Sequence, residues 1–366
     1  MAIDAKHYIP ILKAKAGEFQ ALTNLAAAAK HALTPLLEIV PIPWDYENEA
    51  PAKDLDAHLA PLPQKLLNAW GNQQSAFADL FYLEDEGQAS DGRHPVQWLF
   101  DESRDRGMRL IPVTGLTRNV PYQTAVRDVI LADHRGCCIR LILDDLAQGV
   151  FPVQAISQLS ATLGVPMGGI DLVIDLGPIS EELLGSYKLM MPALVQTASA
   201  AANWRSFIVT ASAFPMNLSD FDRDTISTTP RTEWSLWSHL FQVRANLPRV
   251  PTFGDYSIQH PEQPEVDPRI IKMSHSIRYT CESNWLVVKG HAHKKGNAPQ
   301  YRALCQQLTA MPQPPWRGAG FSWGDTFIEQ CAQGQEGPGS ATTWRAVGTN
   351  HHLTHVCDQI ANLPAI

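Results

Sequence analysis

Cysteine is scarce in this sequence. Its six cysteines among 366 residues include no CxxC pair, so a disulfide scaffold is excluded and reduced, mostly buried thiols are expected. Long apolar runs are missing as well, because no stretch approaches the ~18 residues that a membrane span needs. The segment Met1–Lys6 also lacks the basic and then apolar layout of a secretory signal. These absences predict a cytoplasmic protein with no membrane partner.

Positive charge is limited too. Lysine and arginine together number 29 against 37 aspartates and glutamates, which gives a net charge of −8. A broad basic surface for nucleic acid is therefore disfavoured, although a local basic pocket is compatible with an acidic protein. The hydrophobic fraction of 45% is enough for a large buried core.

Familiar catalytic signatures are missing. The sequence has no GxGxxG turn, no Walker loop with GK[ST], no GxSxG and no HExxH. The reaction type therefore cannot be assigned from a motif.

A recurring unit is present instead: a short apolar run that ends near a polar residue and is followed by a helical segment. Short apolar runs are typical of parallel strands that are buried on both faces. Eight such runs occur: Tyr8–Lys15, Thr34–Pro41, Phe77–Leu83, Arg109–Thr114, Cys138–Leu143, Ile170–Leu176, Ser206–Ser212 and Val250–Tyr256.

Eight strands separated by helices predict a (β/α)8 TIM-like barrel over residues 1–260. An open doubly wound sheet is the alternative, but it normally carries a glycine-rich phosphate turn after its first strand. Residues 261–366 are predicted to form a C-terminal extension with a hairpin and helices, packed on the barrel. The hairpin is expected from Ser276–Glu282 and Trp285–Lys289, which two residues separate.

The polar residues at the ends of the runs should meet at one rim of such a barrel, the rim that carries function in barrel enzymes. We predict catalytic roles for Lys13, Glu38, Asp144 and Asp175. We predict ligand-binding roles for Lys15, Asp79, Thr114, Thr210, Asp255 and Arg345.

These residue types suit two kinds of chemistry. Two carboxylates in different surroundings can act as general acid and general base, and Glu38 with Asp144 or Asp175 is the candidate pair. Three or more carboxylates could instead hold Mg²⁺ or Mn²⁺. Lys13 follows four apolar residues, so it needs a carboxylate partner, for which Glu38 on the neighbouring strand is expected. Asp144 could equally serve only as a helix cap.

Two segments resemble a known family. Tyr8–Phe19 with Thr34–Glu38, and Phe321–Asp325 with Gly348–His352, resemble the "beta protein" family, which is named after a tailed-phage protein and found in bacteria and prophages. The resemblance assigns no residue roles, because the family has no settled catalytic activity. It implies a part in phage–host conflict.

Two functional hypotheses follow. The first is a barrel hydrolase acting on a small phosphate- or sugar-containing ligand, with Lys13 or Arg345 stabilising negative charge. The alternative is a non-catalytic binding or sensor component of an antiphage or prophage complex, which would use the rim and the C-terminal segment as a protein interface.

Overall fold

The fold was analysed in a computed structural model that describes residues 3–146, 150–262, 274–292, 300–312 and 314–364. The strands in chain order are β1 (Tyr8–Lys13), β2 (Leu36–Glu38), β3 (Trp44–Asp45), β4 (Ala50–Pro51), β5 (Ser75–Asp79), β6 (Arg109–Thr114), β7 (Cys137–Ile142), β8 (Ile170–Pro178), β9 (Ser206–Ser212), β10 (Thr225–Pro230), β11 (Thr252–Asp255), β12 (Ser274–Thr280) and β13 (Asn284–Ala292).

The helices alternate with these strands. They are α1 (Ala16–Thr23), α2 (Ala27–Ala32), α3 (Leu55–Leu59), α4 (Leu62–Trp70), α5 (Pro95–Arg104), α6 (Val120–Asp133), α7 (Val153–Leu163), α8 (Leu184–Ala201), α9 (Thr232–Gln242), α10 (Gln300–Thr309), α11 (Trp323–Gln333) and α12 (Ala341–Ala361).

Eight parallel strands close into a barrel in the order β1-β11-β9-β8-β7-β6-β5-β2. Each of the eight apolar runs overlaps one of them. The predicted (β/α)8 fold is therefore confirmed, and the open sheet is wrong because β1 pairs with β11 as well as with β2.

Both faces of the barrel wall are apolar, as the runs predicted. Side chains alternate between the two faces of a strand. Ile11, Phe77 and Val173 belong to the cluster inside the barrel, whereas Leu12 and Leu172 pack between the strands and the helices. A strand buried on both sides must be apolar at nearly every position, which explains the unbroken runs.

A second core lies outside the barrel. It is built on the antiparallel sheet β10-β13-β12, in which β12 and β13 form the predicted hairpin and β10 comes from the segment between β9 and α9. Tyr279, Val288 and Leu304 pack there against Ile328 of α11.

The last helix joins the two cores. Trp344 and Val347 at the start of α12 belong to the second core, whereas Leu353, Val356 and Ile360 belong to the barrel core. α12 also packs against α1, α2 and β1. The helix α12, which follows the second core in the chain, thus covers the barrel wall beside α1.

Among the helices of the described residues, none combines the length and the apolar character that a bilayer crossing requires.

Close contact between α11 and α12 depends on a glycine. A Cβ atom on Gly324 would clash with the backbone carbonyl oxygen of Val347, and the Gly324 amide donates to Asn350 Oδ1 at 3.0 Å. We expect Gly324→Ala to lower the free energy of unfolding by about 1–3 kcal/mol in urea titrations, because the two helices must move apart. Gly337→Ala is the control, since a Cβ there would meet open space; equal stabilities of the two variants would refute this reason.

Candidate functional site

Strand register brings charged residues together at the carboxyl-terminal end of the barrel, which we call the barrel mouth. Lys13 of β1 is paired in register with Glu38 of β2, and Glu38 with Asp79 of β5. Lys13 and Glu38 share the inward parity of Ile11 and Leu36 in their own strands. Three neighbouring strands therefore point charge into the same space.

A buried arginine occupies the centre of this space. Arg140 Nη1 donates to Glu38 Oε1 and to Asp79 Oδ2, each at 2.9 Å. Its Nε and Nη2 donate to Asp175 Oδ2 at 2.9 and 2.7 Å. Nη2 also donates to the Tyr256 hydroxyl at 2.6 Å, and that hydroxyl donates to Asp175 Oδ2 at 2.5 Å.

Lys13 completes the arrangement. Its Nζ lies 3.3 Å from Glu38 Oε2, which confirms the expected ion pair. It also donates to the backbone carbonyl of Pro261 at 2.6 Å and to the Tyr82 hydroxyl at 3.2 Å. We call the following group the Arg140 cluster: Lys13, Glu38, Asp79, Arg140, Asp175 and Tyr256.

The charged groups of the Arg140 cluster are buried, so they must be paired with one another. Arg140 is only 7% exposed, and Glu38, Asp79 and Asp175 are 1%, 0% and 3% exposed. Removing such charges from water costs several kcal/mol per ion unless they are paired. Arg118 contributes further positive charge from the rim, with its Nη2 3.6 Å from Asp79 Oδ1.

The protonation states follow from these contacts. Burial lowers the pKa of Arg140, but Tyr256 and the three carboxylates outweigh it and hold that pKa above its ordinary value. Burial raises the pKa of Tyr256, and the charge of Asp175 raises it further, although Arg140 opposes this. Arg140 therefore stays charged and Tyr256 keeps its proton at neutral pH.

One carboxylate oxygen differs from the others. Asp79 Oδ1 accepts from the Phe81 amide at 3.1 Å, and Asp175 Oδ1 accepts from the Gly177 amide at 3.0 Å. Glu38 Oε2 is buried and has no hydrogen-bond partner in the described part of the chain, with Lys13 as its near cation. It is thus an oxygen of the cluster whose near contact is an ion pair and not a hydrogen bond.

Three predicted site residues lie elsewhere. Asp144 is exposed in a 3₁₀ turn after β7. Thr114 has outward parity and donates to Gln123 of α6 at 3.0 Å. Asp255 also points outward, where it accepts from Tyr8 at 2.5 Å and lies 2.9 Å from His352 Nε2. Thr114 and Asp255 do not face the mouth, because strand parity and not proximity to the strand end decides direction. Asp144 lies at the same end of the barrel, in the turn after β7, but is not a member of the Arg140 cluster.

The remaining predicted residues lie in or beside the mouth. Thr210 is buried with the inward parity of Ile208. Lys15 is the N-cap residue of α1. Arg345 of α12 packs on the first turn of that helix, where a Cβ on Gly17 would lie 2.7 Å from Arg345 Cγ.

Sequence reasoning missed Arg140 and Tyr256. A signal for Arg140 was available: an arginine inside an apolar run, at the same parity as Cys138, cannot be solvated and must meet carboxylates. The residue predicted there is Asp144, which follows that run, and not Arg140.

Metal binding by the three carboxylates does not fit this geometry. Glu38, Asp79 and Asp175 converge on a guanidinium, which occupies the space where Mg²⁺ or Mn²⁺ would have to lie. Within the ranges that the structure describes, no group of three or more His, Cys, Asp or Glu is placed to hold a metal ion.

Several solved barrel structures are similar to this chain. A mutant tryptophan synthase α-subunit from Pyrococcus furiosus matches with 10% identity and a TM-score of 0.38, covering 70% of this chain and 88% of that one. Triosephosphate isomerase from Bartonella henselae matches with 10% identity and a TM-score of 0.34, covering 68% and 92%.

A larger protein matches over more of the sequence. The carboxyl transferase domain of Rhizobium etli pyruvate carboxylase, solved with pyruvate and biocytin, covers 99% of this chain and 49% of its own, with 12% identity and a TM-score of 0.35. No curated protein sequence matches this chain.

Family membership rests on the sequence. Residues 8–358 match the Beta protein family, which agrees with the resemblance at both ends of the chain. Since this match spans nearly the whole sequence, the chain belongs to the Beta protein family.

Proposed function

We propose that the barrel mouth is a hydrolytic site for a small ligand carrying a phosphate or a sugar, with Glu38 as the group that accepts a proton. The observation that carries this proposal is the buried Oε2 atom of Glu38, which has no hydrogen-bond partner in the described residues and lies 3.3 Å from Lys13 Nζ. Oε2 takes a proton from water as the water oxygen attacks the phosphorus or the anomeric carbon. The bond from that atom to the ester or glycosidic oxygen breaks, and the proton on Glu38 passes to the departing oxygen, which restores the carboxylate and releases an alcohol.

The other members of the Arg140 cluster have supporting roles in this proposal. Arg140 fixes Glu38 through Oε1 and leaves Oε2 available. Lys13 stabilises negative charge that develops beside Oε2. Asp175 Oδ2 accepts from Arg140 and from Tyr256, so Asp175 is a positioning residue for Arg140.

Glu38→Gln tests the proposal, because it keeps the shape of the side chain and removes its basicity. In a panel of aryl phosphates and aryl glycosides, we expect a substrate that the wild type hydrolyses to be turned over at least about a hundredfold more slowly by this variant. Asp144→Asn is the matched control at the same end of the barrel, and its rate should equal the wild-type rate. Equal turnover by Glu38→Gln and wild type would exclude Glu38 as the base.

A non-catalytic binding or sensor role in an antiphage or prophage complex is the second candidate. The convergence of three carboxylates on Arg140 favours it, because a buried charge network also serves to fix a structure. The resemblance to a family found in bacteria and prophages is the reason that we place either function in phage–host conflict. Cells that express wild type or Glu38→Gln should resist phage equally under this second hypothesis, and only the wild type should protect under the first.

A further inference from the structure

Two arginines from distant parts of the chain meet at the edge of the barrel mouth. Arg278 Nη1 of β12 donates to the backbone carbonyl of Ile258 at 2.7 Å, and Arg345 Nη1 of α12 donates to the same oxygen at 3.4 Å. A shared acceptor brings the two guanidinium groups together although like charges repel.

A single nearby carboxylate, Glu18, faces the positive charge of both arginines. Neither arginine forms an ion pair with a carboxylate of the described residues. Glu18 is the acidic group that acts on both, but it accepts from Gln259 and is buried. Burial raises the pKa of Glu18, whereas Arg345 and Lys15 oppose that shift. One carboxylate therefore faces two guanidinium groups and a lysine.

Both arginines are partly buried, and Arg278 also feels the like charge of Arg345. Burial lowers the pKa of Arg278, and the charge of Arg345 lowers it further. Burial also lowers the pKa of Arg345, against the attraction of Glu18. A bound anion would relieve this repulsion.

The surroundings add further attraction for an anion. Arg345 packs on Gly17 in the first turn of α1, and Lys15 is the N-cap residue of that helix, which has no side-chain cap. A helix N-terminus carries partial positive charge and free amide donors. Arginine is also the residue best suited to phosphate, because its planar group donates two parallel hydrogen bonds.

We propose that Arg278 and Arg345, with the first turn of α1, form a binding site for the phosphate group of a phosphate ester. This inference rests on the proposed hydrolytic site and names its ligand class as phosphate esters. Lys15 follows Lys13 of the Arg140 cluster by two residues, about 7 Å along an extended chain, so one small ligand can reach both places.

Calorimetry with inorganic phosphate at constant ionic strength, carried out on the full chain, tests this phosphate site. We expect saturable binding, at least about tenfold weaker for Arg278→Gln and for Arg345→Gln, because each loses a charge-assisted hydrogen bond. The phosphate affinity of Arg345→Lys should lie between those of wild type and Arg345→Gln, since lysine keeps the charge but cannot donate two parallel hydrogen bonds. Arg127→Gln, on the exposed face of α6, is the control and should bind like wild type.

The outcomes separate this inference from the proposed reaction. Glu38→Gln should bind phosphate as tightly as wild type while losing turnover. The phosphate site is ruled out if the wild type does not bind phosphate, or if Arg278→Gln and Arg345→Gln both bind it with wild-type affinity. Either result would stand even if Glu38 is essential for turnover. Because Arg278 is partly buried, circular dichroism must show that its variant is folded, and Arg345→Gln carries the test if it is not.

Discussion

Replacing Arg140 with methionine is expected to lower the free energy of unfolding by about 3–5 kcal/mol, the largest loss that we predict for this chain. The substitution leaves Glu38, Asp79 and Asp175 buried at 1%, 0% and 3% exposure without their shared cation. Lys13 remains beside Glu38 and Arg118 beside Asp79, but Asp175 has neither of them as an ion-pair partner. Urea unfolding at neutral pH measures the loss.

A double variant separates charge from packing in this prediction. Asp175→Asn added to Arg140→Met should recover about 1–3 kcal/mol, because it removes one of the uncompensated charges. Arg127→Met is the matched control: Arg127 and Asp128 are 45% and 42% exposed, so the loss should stay below about 1 kcal/mol. If Arg140→Met is no more harmful than Arg127→Met, the cluster does not hold the barrel mouth together.

The barrel was predictable because its physical signal is strong. Parallel strands buried on both faces require apolar runs, and eight of them with helices between leave few other arrangements. The ion pair of Lys13 with Glu38 was predictable for a similar reason, since a lysine inside an apolar strand needs a partner on the neighbouring strand.

The composition of the mouth was harder to predict because it depends on one-residue differences in strand parity. Asp255 lies one residue before the inward-pointing Tyr256, and it contacts His352 in place of the barrel interior. A shift of one position reverses the face of every side chain in a strand. The sequence does not show, to within one residue, which positions of a strand face the barrel interior.

Contacts between distant segments were also beyond sequence reasoning. Arg278 and Arg345 meet at the carbonyl of Ile258 because α12 returns to the barrel after the second core. That path depends on the packing of Trp344 and Val347 against the second core, which no local pattern encodes.

The interface between the barrel and the second core contains another buried carboxylate, Glu233 at the start of α9. Neither of its oxygens has a hydrogen-bond partner in the described residues, and Arg231 Nε lies 3.6 Å from Oε1. Burial raises the pKa of Glu233 from 4.5 to about 8, with Arg231 opposing that shift. The folded protein therefore holds a proton on Glu233 at neutral pH.

This raised pKa makes stability depend on pH in a defined direction. An unfolded chain releases the Glu233 proton near pH 4.5, whereas the folded chain keeps it until about pH 8. Between these values the folded state binds more protons, so its free energy of unfolding falls as the pH rises, by up to about 1.4 kcal/mol per pH unit. This contribution is fully present below the lower value and lost above the higher one.

Glu233→Gln is expected to remove that loss, because glutamine is neutral at every pH and nearly the same shape. The variant should match wild type near pH 5 and exceed it by about 3–4 kcal/mol near pH 8, as measured by urea unfolding across this range. Glu182→Gln, at an exposed position, is the control and should follow the wild-type curve. Parallel curves for Glu233→Gln and wild type would mean that Glu233 is ionised in the folded protein, with Arg231 as an effective counter-ion.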